Sequence, residues 1–245
     1  MSIYHAGEPR SRWHHVADLV TFYVEGMTMQ VLVIGATGNT GFRIVRRLVQ
    51  VSHHPVAMIR RGEQRSRFDE IGVPTVLADL EYPIDHAFDG CDAVIFAAGS
   101  GSKTGKDKTV MIDHLGAIRS MVAASVNGAT RYIMLSSLNK DVHSESSIRH
   151  YHRAKGHADA FLHAMHEVMP DHPPLEWTIV CPGGLTDEAA TGRVSVGLEQ
   201  HGSGRTSREN LAAVLVACLD EPATIGRDFS LLDGETPIHE ALAAL

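Results

Sequence analysis

The stretch Gly35-Ala36-Thr37-Gly38-Asn39-Thr40-Gly41 limits what this chain can fold into more than any other part of it. The apolar run Gln30-Val31-Leu32-Val33-Ile34 precedes it and suits a parallel strand buried on both faces. Residues 39–51 follow with helical spacing. Phe42, Val45, Leu48 and Val49 form the apolar stripe, and Arg43, Arg46 and Arg47 point outward. Strand, glycine turn and helix in that order form a cradle for a dinucleotide. Gly35 permits the tight turn, Gly38 lets backbone approach a pyrophosphate, and Gly41 lets the helix pack closely on the strand. Thr37, Asn39 and Thr40 complete the turn, where the free N–H groups and positive end of the helix favour phosphate. The spacing is G-x-x-G-x-x-G rather than G-x-G-x-x-G, so the strand before it and the helix after it carry the reading.

Strand and helix patterns alternate through the rest of the chain. Strands are predicted at 56–59, 75–78, 92–97, 132–135, 177–180 and 228–232. Helices are predicted at 63–71, 106–126, 149–166, 207–219 and 237–245, with Ser207 as the cap of the fourth. Residues 186–205, rich in Gly, Thr and Ser, read as an irregular flap with one or two short strands. The class is α/β, a doubly wound parallel sheet (Rossmann fold) with a small C-terminal loop-rich substrate region. Residues 29–245 read as a single domain. Residues 1–28 read as an N-terminal extension of unassigned role, with a short helix near Trp13 to Tyr23. Ligands are then expected outside the carboxyl ends of the strands.

Composition narrows the class of function. A formal charge of −7 on 245 residues gives no support to nucleic-acid binding. No stretch approaches the length of a membrane span, and the first 26 residues lack the pattern of a signal peptide. Cys91, Cys181 and Cys218 are far apart and odd in number, which points to a reducing, cytoplasmic compartment without disulfides. His150, His152, His157, His163 and His166 crowd one helical segment. They read as solvated helix residues, and no metal site is expected.

Two further signals concern the cofactor. The second strand ends in Arg60-Arg61, with no acid for the ribose hydroxyls of NAD. Arginine there suits a 2′-phosphate, so NADP(H) is favoured over NAD(H). Asp79-Leu80, after the third strand, falls where it could cover the adenine, although Asp79 also suits a cap. Ala97-Ala98-Gly99, after the fourth strand, lets backbone pass close to a ribose.

The candidate reacting group is Tyr151 with Lys155. Their Y-x-x-x-K spacing puts both side chains on one helix face, and Ser136-Ser137 closes the strand upstream. An ammonium beside a phenol lowers the phenol's pKa, and the phenol can then exchange a proton with a carbonyl or alcohol oxygen during hydride transfer. A serine hydroxyl can hold the same oxygen.

Together these segments resemble the atypical branch of the short-chain dehydrogenase/reductase superfamily, close to its NmrA-like and sugar-epimerase-like NAD(P)-binding members. Trp177-Thr178-Ile179-Val180-Cys181-Pro182-Gly183-Gly184-Leu185-Thr186-Asp187 and Ser207-Arg208-Glu209-Asn210-Leu211-Ala212 carry the resemblance through the C-terminal third. It implies that Pro182, Gly183 and Gly184 lie near the nicotinamide, flanked by Ser136 or Ser137, Tyr151 and Lys155. It also implies an NADP(H)-dependent reductase acting on a small carbonyl, quinone or similar small-molecule acceptor. A non-catalytic NAD(P) redox sensor, or an epimerase or isomerase that retains its NAD(P), is the alternative. Pairing of the helices 106–126 and 149–166 would give a homodimer, as in many relatives. Two positions depart from the pattern: Asp113 stands where asparagine is frequent, and Cys181 where arginine precedes the proline.

Overall fold

The computed structural model describes residues 28–101, 105–199 and 201–245. The expectations for residues 1–27, including the helix near Trp13, lie outside the described residues. The chain alternates as the sequence pattern requires. β1 (Gln30–Ile34), α1 (Asn39–Gln50), β2 (His54–Ile59), α2 (Ser66–Asp69), β3 (Thr75–Leu77) and β4 (Ala93–Phe96) form the first half. A long helical stretch follows as α3 (Lys106–Thr109), a π-helical segment (Val110–Gly116) and α4 (Ala117–Val126). Then come β5 (Arg131–Leu135), α5 (Arg149–Val168), β6 (Glu176–Pro182), β7 (Gly184–Thr186), β8 (Arg193–Gly197) and β9 (Arg205–Ser207). The chain ends with α6 (Arg208–Ala217), β10 (Arg227–Asp233), β11 (Thr236–Pro237) and α7 (Ile238–Ala243).

Strands pair in the order β11-β8-β10-β6-β5-β4-β1-β2-β3. From β10 to β3 every pairing is parallel. β8 is antiparallel to both β10 and β11, and β11 forms that edge. Strand order reverses at β1, which has β2 on one side and β4 on the other. That reversal opens a crevice at the carboxyl ends of β1 and β4, the usual ligand position in such sheets.

Alternation along the strands divides the core. Val31, Val33, Ala93, Ile95, Phe229 and Leu231 pack with Ile44, Val45 and Leu48 of α1 and Leu211 and Leu215 of α6. Leu32, Ile34, Val94, Phe96, Tyr132 and Met134 pack on the other face with Met121 of α4 and Ala158, Leu162 and Met165 of α5. Burial of both faces explains why the strands read as apolar runs rather than as alternating ones.

Several local expectations are corrected. The buried stripe of α1 is Thr40, Gly41, Ile44, Val45 and Leu48, while Val49 is exposed. Arg43 is not a free surface residue: its guanidinium reaches Glu209 at 2.8 Å and Asp187 at 3.4 Å, tying α1 to the start of α6. The helix expected over 63–71 is a 3₁₀ turn (Gly62–Gln64) and one turn of α-helix. The flap at 186–205 does carry a short strand, β8, as expected, and β8 joins the main sheet while β7 and β9 pair at its ends. His152 is buried, with its Nδ1 3.1 Å from Ser146 Oγ and 3.3 Å from Ser144 Oγ, rather than solvated. All three cysteines are free and buried.

Candidate functional site

The register β1–β4 aligns Ile34 with Phe96, so the two strands end together and Ala97 N–H donates to Ile34 carbonyl at 2.8 Å. Gly35 leaves β1 at φ +88°, a conformation that side chains disfavour. A Cβ there would lie 2.6 Å from Ala98 N and 2.7 Å from the Ala97 carbonyl. A Cβ on Gly41 would overlap Gly35 O and sit 2.7 Å from its carbonyl carbon. The turn is therefore clamped between β4 and α1 because both positions lack side chains. Phe42 N–H donates the first helical bond, to Gly38 O at 3.0 Å. The preceding N–H groups of Asn39, Thr40 and Gly41 have no intrahelical acceptor.

Their residues line a cavity of about 580 Å³. Gly38, Asn39, Thr40 and Gly41 form one wall, and Ala97, Ala98, Gly99, Ser100 and Gly101 pass beneath. Ser136, Ser137, Tyr151 and Lys155 line the opposite wall, with Pro182, Gly183 and Leu185 closing the end. Thr109, Asp113, Leu135, Ile148, His150 and Arg208 also line it, and the motif reading did not single these out as ligands. Leu135 ends β5, and Thr109, Ile148 and His150 are ordinary loop or helix positions whose signal appears only when the elements are assembled.

Other expected residues lie elsewhere. Leu80 is buried in the core, with its side chain against Gly116 and its carbonyl accepting from Arg119, and it does not line the cavity. Asp79 accepts from Glu81 N–H at 3.1 Å within a turn, where no helix begins. Gly35 and Thr37 shape the turn without lining the cavity, and Gly184 pairs instead with Gly204 O at 2.9 Å. Arg60 and Arg61 are exposed beyond β2. Arg61 forms a 3.5 Å surface pair with Glu63. The motif reading passed over Arg67. Its guanidinium lies 3.5 Å over the Phe42 ring and donates to Thr37 O at 3.3 Å, bracing the glycine turn from outside.

The polar wall is highly ordered. Lys155 Nζ donates to Leu135 O at 3.1 Å, lies 3.6 Å from Asp113 Oδ1 and is 5.9 Å from the Tyr151 ring centre. Burial works against its charge, but Tyr151, Asp113 and Asp159 outweigh burial and hold the ammonium above the ordinary lysine range. Ser136 donates to Asp159 Oδ2 at 2.5 Å, so its proton points away from the cavity. Asp159 is held in turn by Lys140 at 2.9 Å, and Lys140 by Asp228 at 2.6 Å. Cys181 Sγ lies 3.1 Å from Lys140 Nζ. Burial pushes its thiol well up, with Lys140 opposing. Cys181 is thus a buried, protonated partner of this network and no thiolate nucleophile. The two serines differ: Ser136 can only accept from a ligand, whereas Ser137, bonded locally to Leu138 O at 3.1 Å, can be redirected to donate.

A wall of first-turn N–H groups facing a lysine–tyrosine pair fits a dinucleotide, with phosphates at one end and a reacting ring at the other. The NAD(P)H-binding family matches residues 35–222, from the glycine turn to the end of α6 and the turn after it. The chain is 40% identical over 224 residues to the uncharacterized sugar epimerase YhfK of Bacillus subtilis, covering 89% of this chain and 100% of that one. A solved structure from Bacillus halodurans, named for the NAD-dependent epimerase/dehydratase class, superposes with a TM-score of 0.81 at 39% identity, over 89% of this chain and all of that one. The oxidoreductase ylbE of Lactococcus lactis superposes at 0.73 with 27% identity, over 89% and 96% of the two chains. Sequence, fold and cavity agree, and the chain belongs to the NAD(P)H-binding family of Rossmann proteins, in line with the NmrA-like, atypical dehydrogenase/reductase pattern of its motifs.

Proposed function

We propose that this protein is an NADP(H)-dependent oxidoreductase that reduces a small carbonyl, quinone or similar acceptor. The observation that carries this reading is the meeting of Tyr151 and Lys155 with the glycine turn across one cavity. The nicotinamide, when bound, supplies or accepts hydride. Asn39, Thr40 and Gly41 hold the phosphates, and Ala97 to Gly99 and Lys155 border the ribose. Pro182 and Gly183 border the ring. Tyr151 gives its proton to the acceptor oxygen, and Ser137 orients that oxygen. Ser136, fixed on Asp159, keeps the wall rigid. Arg60 at the end of β2 favours the 2′-phosphate, since its guanidinium forms no ion pair among the described residues. Domain organisation supports a small acceptor: among the described residues after β6 the chain builds the sheet edge, the β7–β9 pair, α6 and α7, and residues 29–245 read as one domain.

The test is NADPH oxidation against a panel of carbonyls and quinones. Wild-type protein turns over at least one class, and Tyr151→Phe lowers kcat by about 10²–10⁴ while NADPH still binds. Absence of turnover across the panel would remove the reading. The names of the Bacillus relatives favour a second reading, an epimerase that keeps its NAD(P) bound. Cofactor released on denaturing freshly purified protein would support that one.

A further inference from the structure

Two buried lysines and three acids share the interior behind the cavity, and their pairing is uneven. Lys140 takes two of the acids, Asp159 at 2.9 Å and Asp228 at 2.6 Å. Asp159 also accepts from Ser136. Lys155, with a side chain only 3% exposed, is left with Asp113, which is fully buried. Asp113 sits in the π-helical segment, a distortion frequent at functional sites. Its Oδ2 accepts from Ser100 N–H at 3.0 Å. Among the described residues its Oδ1 has no hydrogen-bond partner, and it lies 3.6 Å from Lys155 Nζ.

We propose that Asp113 is a positioning residue, the resident counter-ion that keeps the Lys155 ammonium charged and directed at Tyr151. A buried ammonium without a counter-ion gives up its proton. The groups facing Lys155 are few. α5 contributes Tyr151 and Asp159, whose charge Lys140 and Ser136 already engage. β5 contributes the Leu135 carbonyl, and β4 contributes the Phe96 ring at 5.6 Å, neither of which titrates. Among the described residues, the π-helical segment brings the one carboxylate near Lys155 that no other cation engages. An asparagine at 113 would keep the bond to Ser100 and lose the charge, so this departure from the common pattern changes the electrostatics and leaves the shape. Asp113 also joins the loop beneath the cavity to the lysine, because one carboxylate holds Ser100 and faces Lys155. The pairing stands on geometry; its effect on turnover rests on the proton-donor reading of Tyr151.

The experiment is a thermal-unfolding cycle of Asp113→Asn, Lys155→Met and the double variant between pH 7 and 10. Asp113→Asn lowers the midpoint by roughly 10 °C at pH 7, because it strands a buried charge. In that variant Lys155 ionises below its unfolded value, so the unfolded chain binds more protons and the deficit shrinks as pH rises. If Asp113→Asn alone does not fold, the Lys155→Met background decides. Adding Asp113→Asn there removes an unpaired acid and raises the midpoint by several degrees. Equal losses with and without Lys155, or a deficit independent of pH, would overturn the pairing. In turnover, Asp113→Asn moves the alkaline limb of the kcat profile down by about one pH unit. Binding of 2′,5′-ADP, which lacks the nicotinamide half, stays unchanged. A protein that reduces no acceptor removes the role of Tyr151 and leaves the unfolding cycle to judge the counter-ion.

Discussion

Replacement of Gly41 by alanine is the sharpest perturbation of the cradle. The added Cβ would overlap Gly35 O and lie 2.7 Å from the Gly35 carbonyl carbon and 2.9 Å from Ala36 Cα. All three are backbone atoms of a turn that is itself pressed on Ala97 and Ala98. No side chain can swing aside, so α1 must move outward by roughly 1 Å to restore ordinary contact distances. Overpacking of this kind costs about 1–3 kcal/mol, and alanine's better helix propensity returns at most about 1 kcal/mol. The net loss of about 1–2 kcal/mol lowers the unfolding midpoint by about 3–8 °C in a chain of this size. Binding suffers more than folding. The first-turn N–H groups of α1 move with the helix, and weakening two charge-assisted hydrogen bonds raises the NADPH Kd by roughly 10- to 100-fold. Gly62→Ala is the matched control, because a Cβ there meets nothing within 4 Å. Calorimetric titration of both variants decides the matter. Wild-type affinity in Gly41→Ala would refute the placement of the phosphates at this turn.

Other consequences follow from the same geometry. Arg60→Ala weakens NADPH about tenfold in calorimetry and leaves NADH unchanged; equal weakening of both would show that Arg60 reads no 2′-phosphate. Ser137→Ala lowers kcat by about tenfold with little change in unfolding midpoint. Ser136→Ala removes a donor from buried Asp159 and costs about 1–3 kcal/mol, so the two serines separate in a paired stability and rate assay. Lys140→Met removes the buried cation that holds Asp159 and costs about 3–5 kcal/mol near neutral pH. Burial opposes the charge of Lys140, but Asp159, Cys181 and Asp228 outweigh it and raise its pKa above the ordinary 10.5. That stabilisation is complete below 10.5 and fades as pH rises further, so wild-type stability declines in alkali more steeply than that of Lys140→Met.

Much of this was legible in the chain itself. The glycine turn, the strand–helix alternation and the Y-x-x-x-K pair are local patterns, and local periodicity reports them directly. The structure places Gly38 to Gly41, Ala97 to Gly99, Ser136, Ser137, Tyr151, Lys155, Pro182 and Gly183 around one cavity. What stayed hidden depends on partners distant in sequence. Arg43 is polar and helical, so it reads as exposed until α6 brings Glu209 alongside. Lys140, Asp159 and Asp228 come from three separate elements, and no spacing rule joins them. Leu80 follows a strand end where ligands often lie, but its apolar side chain has a core contact at Gly116 and takes it. The π-helical segment arises within a run that reads as plain helix, and it seats Asp113 beside Lys155.

The central claim is that the cavity holds a nicotinamide dinucleotide with its ring beside Tyr151. A crystal structure of the protein grown with NADP tests this most directly. The account predicts the pyrophosphate on the N–H groups of Asn39, Thr40 and Gly41, and the nicotinamide between Tyr151 and Pro182. A dinucleotide bound elsewhere, or bound here with its nicotinamide turned away from Tyr151, would contradict it.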